Sequence, residues 1–538
     1  MELTSPILVS SIILISTILF LLLLQRRRTT RKQTIDGAPT LTFKDLVKNG
    51  HRFLDWTTEM LLSSPTNTIT LPSTVATSNP SNIEHILKYN FSNYPKGHNI
   101  TDTLHDLLGD GIFNTDGDHW KLQRKIASLQ FNTKSIRSFV TNAVQIEVTT
   151  RLLPLLAAAA VSGEPIDLQD TLERFSFDNV CKVAFDVDPA RLAGDAMDGG
   201  RFARAFDTAA EISTNRFRQP RFFWLLRRKL NLGEERRLKE AVRTVNEFAM
   251  KVVHDKKLKG KAGDDDLLSK FIEDDSEHSD EFLRDIIISF VLAGRDTTSS
   301  ALTWFFWLVS SRPEIRRAIR DEVSAVRAKH GSEPGQELKL EELREMEYLH
   351  AALSETLRLY PPVSLEPRAC LADDKLPDGT EVKKGWSVMY NSYAMGRMKS
   401  IWGEDCMEFR PERWLVNGEF QAKSPFKFPI FHAGPRTCLG KEMAYIQMKA
   451  VAASVLERWL VNGEFQAKSP FKFPIFHAGP RTCLGKEMAY IQMKAVAASV
   501  LERFELEMAP GEEKERAHGF TIVLRMNGGL PIVVKNRD

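Results

Sequence analysis

The stretch Phe431-His432-Ala433-Gly434-Pro435-Arg436-Thr437-Cys438-Leu439-Gly440 sets a lone cysteine on a loop shaped by glycine and proline, just ahead of an amphipathic helix predicted over about 441–456. A sulfur anion there meets free N–H groups and the positive end of a helix, both of which favour the ionised form. The arrangement suits a permanently charged sulfur ligand to iron, and Arg436, two residues upstream, can reach an anionic cofactor edge. The rival reading is a buried structural thiol, the usual fate of a single cysteine. A second group, Asp296 and Thr297, lies in DIIISFVLAGRDTTSSALTWFFWLVS (285–310), a run apolar on nearly every face and so expected to pass through the protein centre. The alternative, a membrane span, is made costly by Arg295 and Asp296 at its middle. Ala293 and Gly294 leave a shallow groove for a flat ligand, and Thr297, four residues after Ala293, shares its face. The Thr297 hydroxyl can bond back to the carbonyl four residues earlier and bend the helix. An acid beside an alcohol is equipped to relay protons.

Further charges recur at helical spacing. Glu355 and Arg358 in ALSETLRLYPP stand i, i+3 and can pair, although exposed pairs of this kind contribute little. Trp120 and Arg124 in HWKLQRK stand i, i+4, and Arg368 in SLEPRAC adds another cation. Lys121 and Lys125 with Arg124 offer a face to an acidic partner, or are simply solvated charges.

What must position these groups is a long, mainly helical chain with small β-sheets. The sequence has 538 residues, 43% hydrophobic and 27% charged, enough for a large core and too apolar for disorder. Charge-rich, poorly periodic patches at 255–280 and 328–338 read as exposed loops. Strand signals occur at LPDGTEVKKGWSVMY (376–390), with Asp378-Gly379 as the turn, and at FELEMAP and TIVLRM near the end. No linker rich in Pro, Gly and Ser divides the chain, so two parts are expected: 1–33 as a membrane anchor with a basic flank, and 34–538 as one catalytic domain. The anchor is PILVSSIILISTILFLLLL (6–24), 19 residues without a charge, about the length of a spanning helix. Arg26, Arg27, Arg28, Arg31 and Lys32 follow it and hold that flank in the cytosol. A cleavable signal would carry its cations before the apolar run and end in small residues. The net charge is +3, those five cations account for more than all of it, and the slightly acidic remainder argues against nucleic acid as a partner. Five scattered cysteines form neither a disulfide framework nor a zinc pattern.

The Phe-x-x-Gly-x-Arg-x-Cys-x-Gly pattern at 431–440 resembles the haem-thiolate loop of the cytochrome P-450 superfamily. Asp296-Thr297 resembles the acid–alcohol pair that delivers protons during dioxygen activation in that superfamily, and Trp120/Arg124 resembles its propionate-binding Trp-x-x-x-Arg, with Arg368 as a further propionate partner. Glu355 and Arg358 match its Glu-x-x-Arg helix and Arg413 its Pro-Glu-Arg turn, a structural trio that holds the cysteine loop. NYPKG (93–97), GIFNTDGDHW (111–120), LAGRDTTSSALTWFFWL (292–308), LPDGTEVKKGW (376–386) and EFRPERW (408–414) are similar to the plant microsomal fatty-acid ω-hydroxylase branch. The resemblance implies the cytochrome P-450 fold behind an N-terminal transmembrane helix and haem b (iron protoporphyrin IX), whose thiolate ligand favours O–O cleavage. It also implies O2 as co-substrate, NADPH as electron source through an NADPH-cytochrome reductase, and a single-pass place in the endoplasmic reticulum membrane facing the cytoplasm. The expected reaction is hydroxylation at or near the end of a long acyl chain, although some relatives oxidise amino-acid conjugates of jasmonate. The residues themselves support only an apolar substrate beside membrane lipid. Phe290, Phe305 and Trp307 offer aromatic surface, and such side chains more often fill cores than pockets.

The chain departs from the family pattern at one place. Residues 412–456 recur unchanged as 457–501, a tandem duplication rather than a solenoid, whose repeats diverge and come in larger numbers. It doubles the ligand set: Cys438 with Arg436, and Cys483 with Arg481. If the fold passes to the second copy before the loop, at NGEFQAKSP, Cys483 binds iron; if it passes after the helix, Cys438 does. A polar loop accepts a long insertion at small closure cost, favouring the first; continuity with Arg413 favours the second. Either way an extra apolar helix must be accommodated. Two other functions stay open, a haem-thiolate isomerase or dehydratase acting on a lipid hydroperoxide without a reductase, and a non-catalytic protein disabled by the duplicated loop.

Overall fold

Helices dominate because apolar residues recur at three- and four-residue spacing and their ends carry stop signals. The Pro313–His330 helix begins on proline and ends at Gly331, whose positive φ of 65° closes it, with Arg327, Lys329 and His330 in its last turn. The Leu168–Phe185 helix starts where the Asp167 carboxylate accepts the Gln169 N–H at 2.9 Å. These placements come from a computed structural model describing Asp45, 48–130, 143–144, 146–194, 197–259, 266–273, 278–332, 338–439, Lys441, Tyr445, Met448, Lys449, 504–509 and 517–536. All but Asp45 belong to the compact unit Val47–Asp538. The apolar run 6–24, its basic flank, the 33/34 boundary and the second copy with Arg481 and Cys483 lie outside the described residues. Among the described residues no helix is long and apolar enough to cross a membrane.

The run at 285–310 is a buried helix in three parts: Asp280–Val291, one π turn at Leu292–Asp296, and Thr297–Ser310. Arg295 is buried at 1% exposure and paired with carboxylates, which is how a cation survives there. Glu347–Leu359 packs against its second half. Two of the three aromatics singled out in the sequence belong to the core: Phe305 is fully buried, and Trp307 stands edge-on to Trp304 and Tyr360.

A four-stranded sheet runs in the order Thr68–Leu71, Thr74–Thr77, Ser387–Asn391, Leu365–Ala369. Its last pair is antiparallel with Glu366 opposite Tyr390 and Arg368 opposite Val388. Glu366 and Arg368 stand two apart and so face the same side. Phe504–Met508, Pro531–Asn536 and Ile166–Asp167 form a second sheet. The Asp378-Gly379 turn joins Asp374–Lys375 to Glu381–Val382 as expected, with Gly379 at φ 91°. At the end of the chain TIVLRM is only half a strand: Leu524–Met526 pairs with His518–Phe520, and Thr521 turns between them.

The expected loop at 255–280 is corrected. Its first five residues complete the Glu234–Lys259 helix, and Leu267–Glu273 is a helix that buries Leu267, Leu268 and Phe271. Those apolar positions, hidden among acids, outweigh the charge pattern.

Candidate functional site

The cysteine loop is fixed from both sides. Gly434 adopts φ 66°, and a Cβ there would overlap the Leu87 carbonyl oxygen, so only glycine lets the loop press on that turn. The Cys438 N–H donates to the Phe431 carbonyl at 2.8 Å and Thr437 Oγ1 to the Gly434 carbonyl at 2.7 Å. Beyond the loop Lys441, Tyr445, Met448 and Lys449 are helical, and Ser354 on the Glu347–Leu359 helix donates to the Tyr445 hydroxyl at 3.0 Å.

Upstream, the segment is rooted by the predicted trio, which is buried rather than on the surface. Glu355 and Arg358 are fully buried, with Arg358 Nη2 and Nε donating to the two Glu355 oxygens at 2.7 and 2.8 Å. The same carboxylate accepts Arg413 Nε at 3.2 Å, the Arg410 N–H at 3.1 Å and Trp414 Nε1 at 2.8 Å. Arg358 also donates to the carbonyls of Cys406 and Glu408, and Arg413 to Asp405.

Cys438 lines a cavity whose opposite wall is the central helix, through Phe290, Ala293, Gly294, Thr297 and Ala301. Thr297 Oγ1 donates to the Ala293 carbonyl at 2.6 Å, spanning the π turn as its spacing suggested. Ala293 and Gly294 both line the cavity, as the expected groove requires, and Gly294 has a second role. A Cβ on it would overlap Val180 of the Leu168–Phe185 helix, so the missing side chain serves helix–helix approach. Asp296 does not line the cavity and approaches Arg295 Nη1 at 3.4 Å; burial pushes its carboxyl up to about 6, against the pull of Arg295. The rest of the cavity is largely apolar, with Ile112, Phe113, Val183 and Leu267 among its walls.

One edge is cationic. Arg124 donates to the Thr437 carbonyl at 2.6 Å, which turns it away from any docking face, while Lys121 and Lys125 stay exposed and Lys121 pairs with Asp118. The Trp120 ring lies 4.4 Å from the Arg436 guanidinium carbon and 6.0 Å from that of Arg124, a cation–π platform between two propionate candidates. Arg436 pairs with Asp116 at 2.6 Å. Arg368 and Lys96 converge on Glu366 at 2.8 and 3.0 Å. His432 Nδ1 meets the Tyr390 hydroxyl at 2.6 Å, and burial holds its imidazole down at about 4, so it is neutral.

Lys96, Arg368 and Arg436 therefore share Glu366 and Asp116 at this edge, three cations to two carboxylates. Burial, with Arg368 nearby, lowers Lys96 to about 8 and Arg436 to about 10, and Nε of both Arg368 and Arg436 has no hydrogen-bond partner. Buried cations with orphaned donors need anions. A flat ligand with two carboxylates on one edge and a metal facing Cys438 fits this donor set. Lys96, Glu366, Asp116 and His432 were not singled out as site residues in the sequence. Lys96 lay inside the NYPKG motif and Glu366 two residues from Arg368, but only the sheet register and the hydrogen bond from the Ala369 N–H to the Pro95 carbonyl bring them together.

The cytochrome P450 family model matches residues 51–462 and again 455–531. The chain belongs to the cytochrome P450 family. The second match begins at the end of the first repeat, as a tandem duplication requires. This cytochrome P450 is 54% identical to cytochrome P450 CYP94D108 of Paris polyphylla over 92% of its own length and 91% of the relative's. It is 48% identical to cytochrome P450 94A1 of Vicia sativa over 76% of this chain and 81% of the relative, and 46% identical to cytochrome P450 94C1 of Arabidopsis thaliana over 75% and 82%. Membership brings haem, O2 and reductase-derived electrons to the cavity, with a mainly helical P450 fold around it.

Proposed function

We propose that this P450 hydroxylates the terminal or near-terminal carbon of long-chain fatty acids or a related oxylipin, with haem b as cofactor and NADPH supplying electrons through an NADPH-cytochrome reductase. The observation that carries the reading is the cavity itself: one cysteine, a cationic edge with orphaned arginine donors, and a long apolar wall on the central helix. When bound, the haem supplies the oxidising chemistry through its thiolate-ligated iron. Cys438 is the ligand in this reading, because its copy is continuous with Arg413 and with the Tyr445–Ser354 contact. Lys96, Arg124, Arg368 and Arg436 would hold the two carboxylates of the cofactor, with the Trp120 ring packed against the Arg436 guanidinium. Phe290, Ile112, Phe113 and Val183 exclude water and leave an acyl chain only apolar contacts, so its free end can approach the Thr297 side. Asp296 holds the proton and Thr297 passes it on.

The endoplasmic reticulum membrane is the proposed location, with 1–33 as anchor and 34–538 as the catalytic domain on the cytoplasmic side. Besides the apolar run 6–24, support comes from exposed Phe217, Phe222, Leu226 and Leu230 beside Arg227, Arg228 and Lys229, a face suited to anionic lipid. The test is the chain in microsomes with reductase, NADPH, O2 and a C18 fatty acid. The expected product is the ω-hydroxy acid, formed only with NADPH. Turnover of a lipid hydroperoxide without NADPH, and none of the fatty acid, overturns the proposal in favour of the isomerase or dehydratase reading.

A further inference from the structure

His432 stands at the first open position of the Phe-x-x-Gly-x-Arg-x-Cys-x-Gly pattern, so the pattern itself gives it no task. Its backbone is nonetheless costly. At φ 58° and ψ −176° it lies in a region that glycine enters freely and a residue with a side chain rarely does. A glycine would relieve that strain. What the imidazole touches is therefore the question.

The ring is held from one side. Tyr390, fully buried on the Ser387–Asn391 strand, brings its hydroxyl within 2.6 Å of Nδ1. That hydroxyl has no other hydrogen-bond partner among the described residues, so its hydrogen belongs on Nδ1, and the proton of the imidazole is thereby assigned to Nε2. Burial agrees, since against the pull of Glu366 it holds the ring neutral, at about 4, with one N–H to give.

Nothing in the chain takes that N–H. Among the described residues Nε2 forms no hydrogen bond: Glu366 Oε1 stands 3.6 Å away, beyond reach, while the other Glu366 oxygen accepts Lys96 at 3.0 Å and Arg368 at 2.8 Å. The His432 side chain keeps 22% exposure and lines the central cavity beside Lys96, Arg368 and Arg436. Three donors at one edge thus lack acceptors, Nε of Arg368, Nε of Arg436 and Nε2 of His432. Cations attract an anion from any direction. An imidazole N–H whose other nitrogen is already bonded meets a single oxygen in a set orientation.

We propose that His432 donates its Nε2–H to one carboxylate of the haem, and that Tyr390 is the positioning residue that fixes the tautomer and the ring. The strained backbone is kept because only a side chain at this point of the loop carries the donor to the edge. The inference rests on haem binding, which family membership brings, and is independent of the substrate the cavity takes.

Resonance Raman spectroscopy of the ferric holoenzyme reads the contact, because the bending mode of the haem carboxylate arms shifts with the hydrogen bonds they accept. His432→Phe keeps a ring and removes the donor; His432→Gly removes the donor and the backbone strain together. Both variants should shift the band, and both should pass haem to a haem-free globin severalfold faster than wild type. A role confined to the shape of the loop predicts otherwise for glycine, which suits the local φ and should then hold haem at least as well as histidine. The reduced, carbon monoxide-bound spectrum checks that the cysteine ligand is intact in each variant. A band at the wild-type frequency in either variant overturns the proposal, as does wild-type haem loss in His432→Gly. A chain that takes up no haem removes it together with the proposed function, whereas turnover of a different substrate removes only the latter.

Discussion

Replacing Glu355 by glutamine tests whether the buried trio holds the cysteine segment. The carboxylate accepts five hydrogen bonds, two from Arg358 and one each from Arg410, Arg413 and Trp414, and is fully buried. Glutamine keeps one acceptor and turns an amide donor toward groups that are themselves donors, leaving the fully buried Arg358 guanidinium without a counter-ion. Stranding one partner of a buried pair costs about 3–5 kcal/mol. With about 2.1 cal/mol/K per residue, unfolding the Val47–Asp538 unit has an entropy near roughly 1 kcal/mol/K, so the melting point falls by about 3–5 °C. Glu240→Gln removes an exposed i, i+4 partner of Arg236 at 3.1 Å and should cost about 0.5 kcal/mol or less, a shift under about 1 °C. Calorimetry of both variants and the reduced, carbon monoxide-bound spectrum make the comparison. The trio also roots the chain leading to Cys438, so Glu355→Gln should lose pigment as well as stability. Equal melting points for the two variants would refute the reasoning.

Other outcomes follow from single contacts. Cys438→Ser should abolish the red-shifted carbon monoxide band and Cys483→Ser should leave it; the reverse result would hand the ligand role to the second copy. Gly294→Ala drives a methyl group into Val180 and should cost about 1–3 kcal/mol, recovered in part by adding Val180→Ala, as urea unfolding would register. Burial and Asp178 raise the Glu147 carboxyl above its ordinary 4.5, so the folded chain keeps a proton that the unfolded chain releases, and stability falls as pH rises above that value. Glu147→Gln should flatten this slope between about pH 5 and 8 in urea midpoints. Deleting 457–501 removes a second copy of a sequence rich in apolar residues beyond what one site needs, and the melting point should rise; an unchanged value would remove any cost of the duplication.

The site was legible where chemistry sits in one short segment. The cysteine loop needs Gly434 for its turn and Arg436 for its charge within a few residues, and Thr297 declares its back-bond by spacing from Ala293. The Glu355–Arg358 pair was visible, but its weight was not, because i, i+3 spacing looks the same exposed or buried. Illegible were contacts made by topology. Lys96, Glu366 and His432 come from three distant segments, and nothing local to any of them announces the other two. Gly294 shows a subtler failure: its place on the central helix was read correctly, yet which neighbour fills the space where its side chain would be depends on the Leu168–Phe185 helix. The segment at 255–280 was misread because acids and lysines mask a short apolar spacing that matters only once a core exists to receive it.

The cysteine edge of the central cavity is out of balance. Lys96, Arg368 and Arg436 meet two carboxylates there, Glu366 and Asp116, and two arginine Nε groups find no acceptor among the described residues. In water this would not matter, because solvent would screen the charges and bond the donors; in a buried setting it is tolerable only when completed from outside. Loading a ligand with two carboxylates should therefore stabilise the fold at this edge as well as fill the cavity, because the same anions that anchor the ligand satisfy cations the fold has already buried.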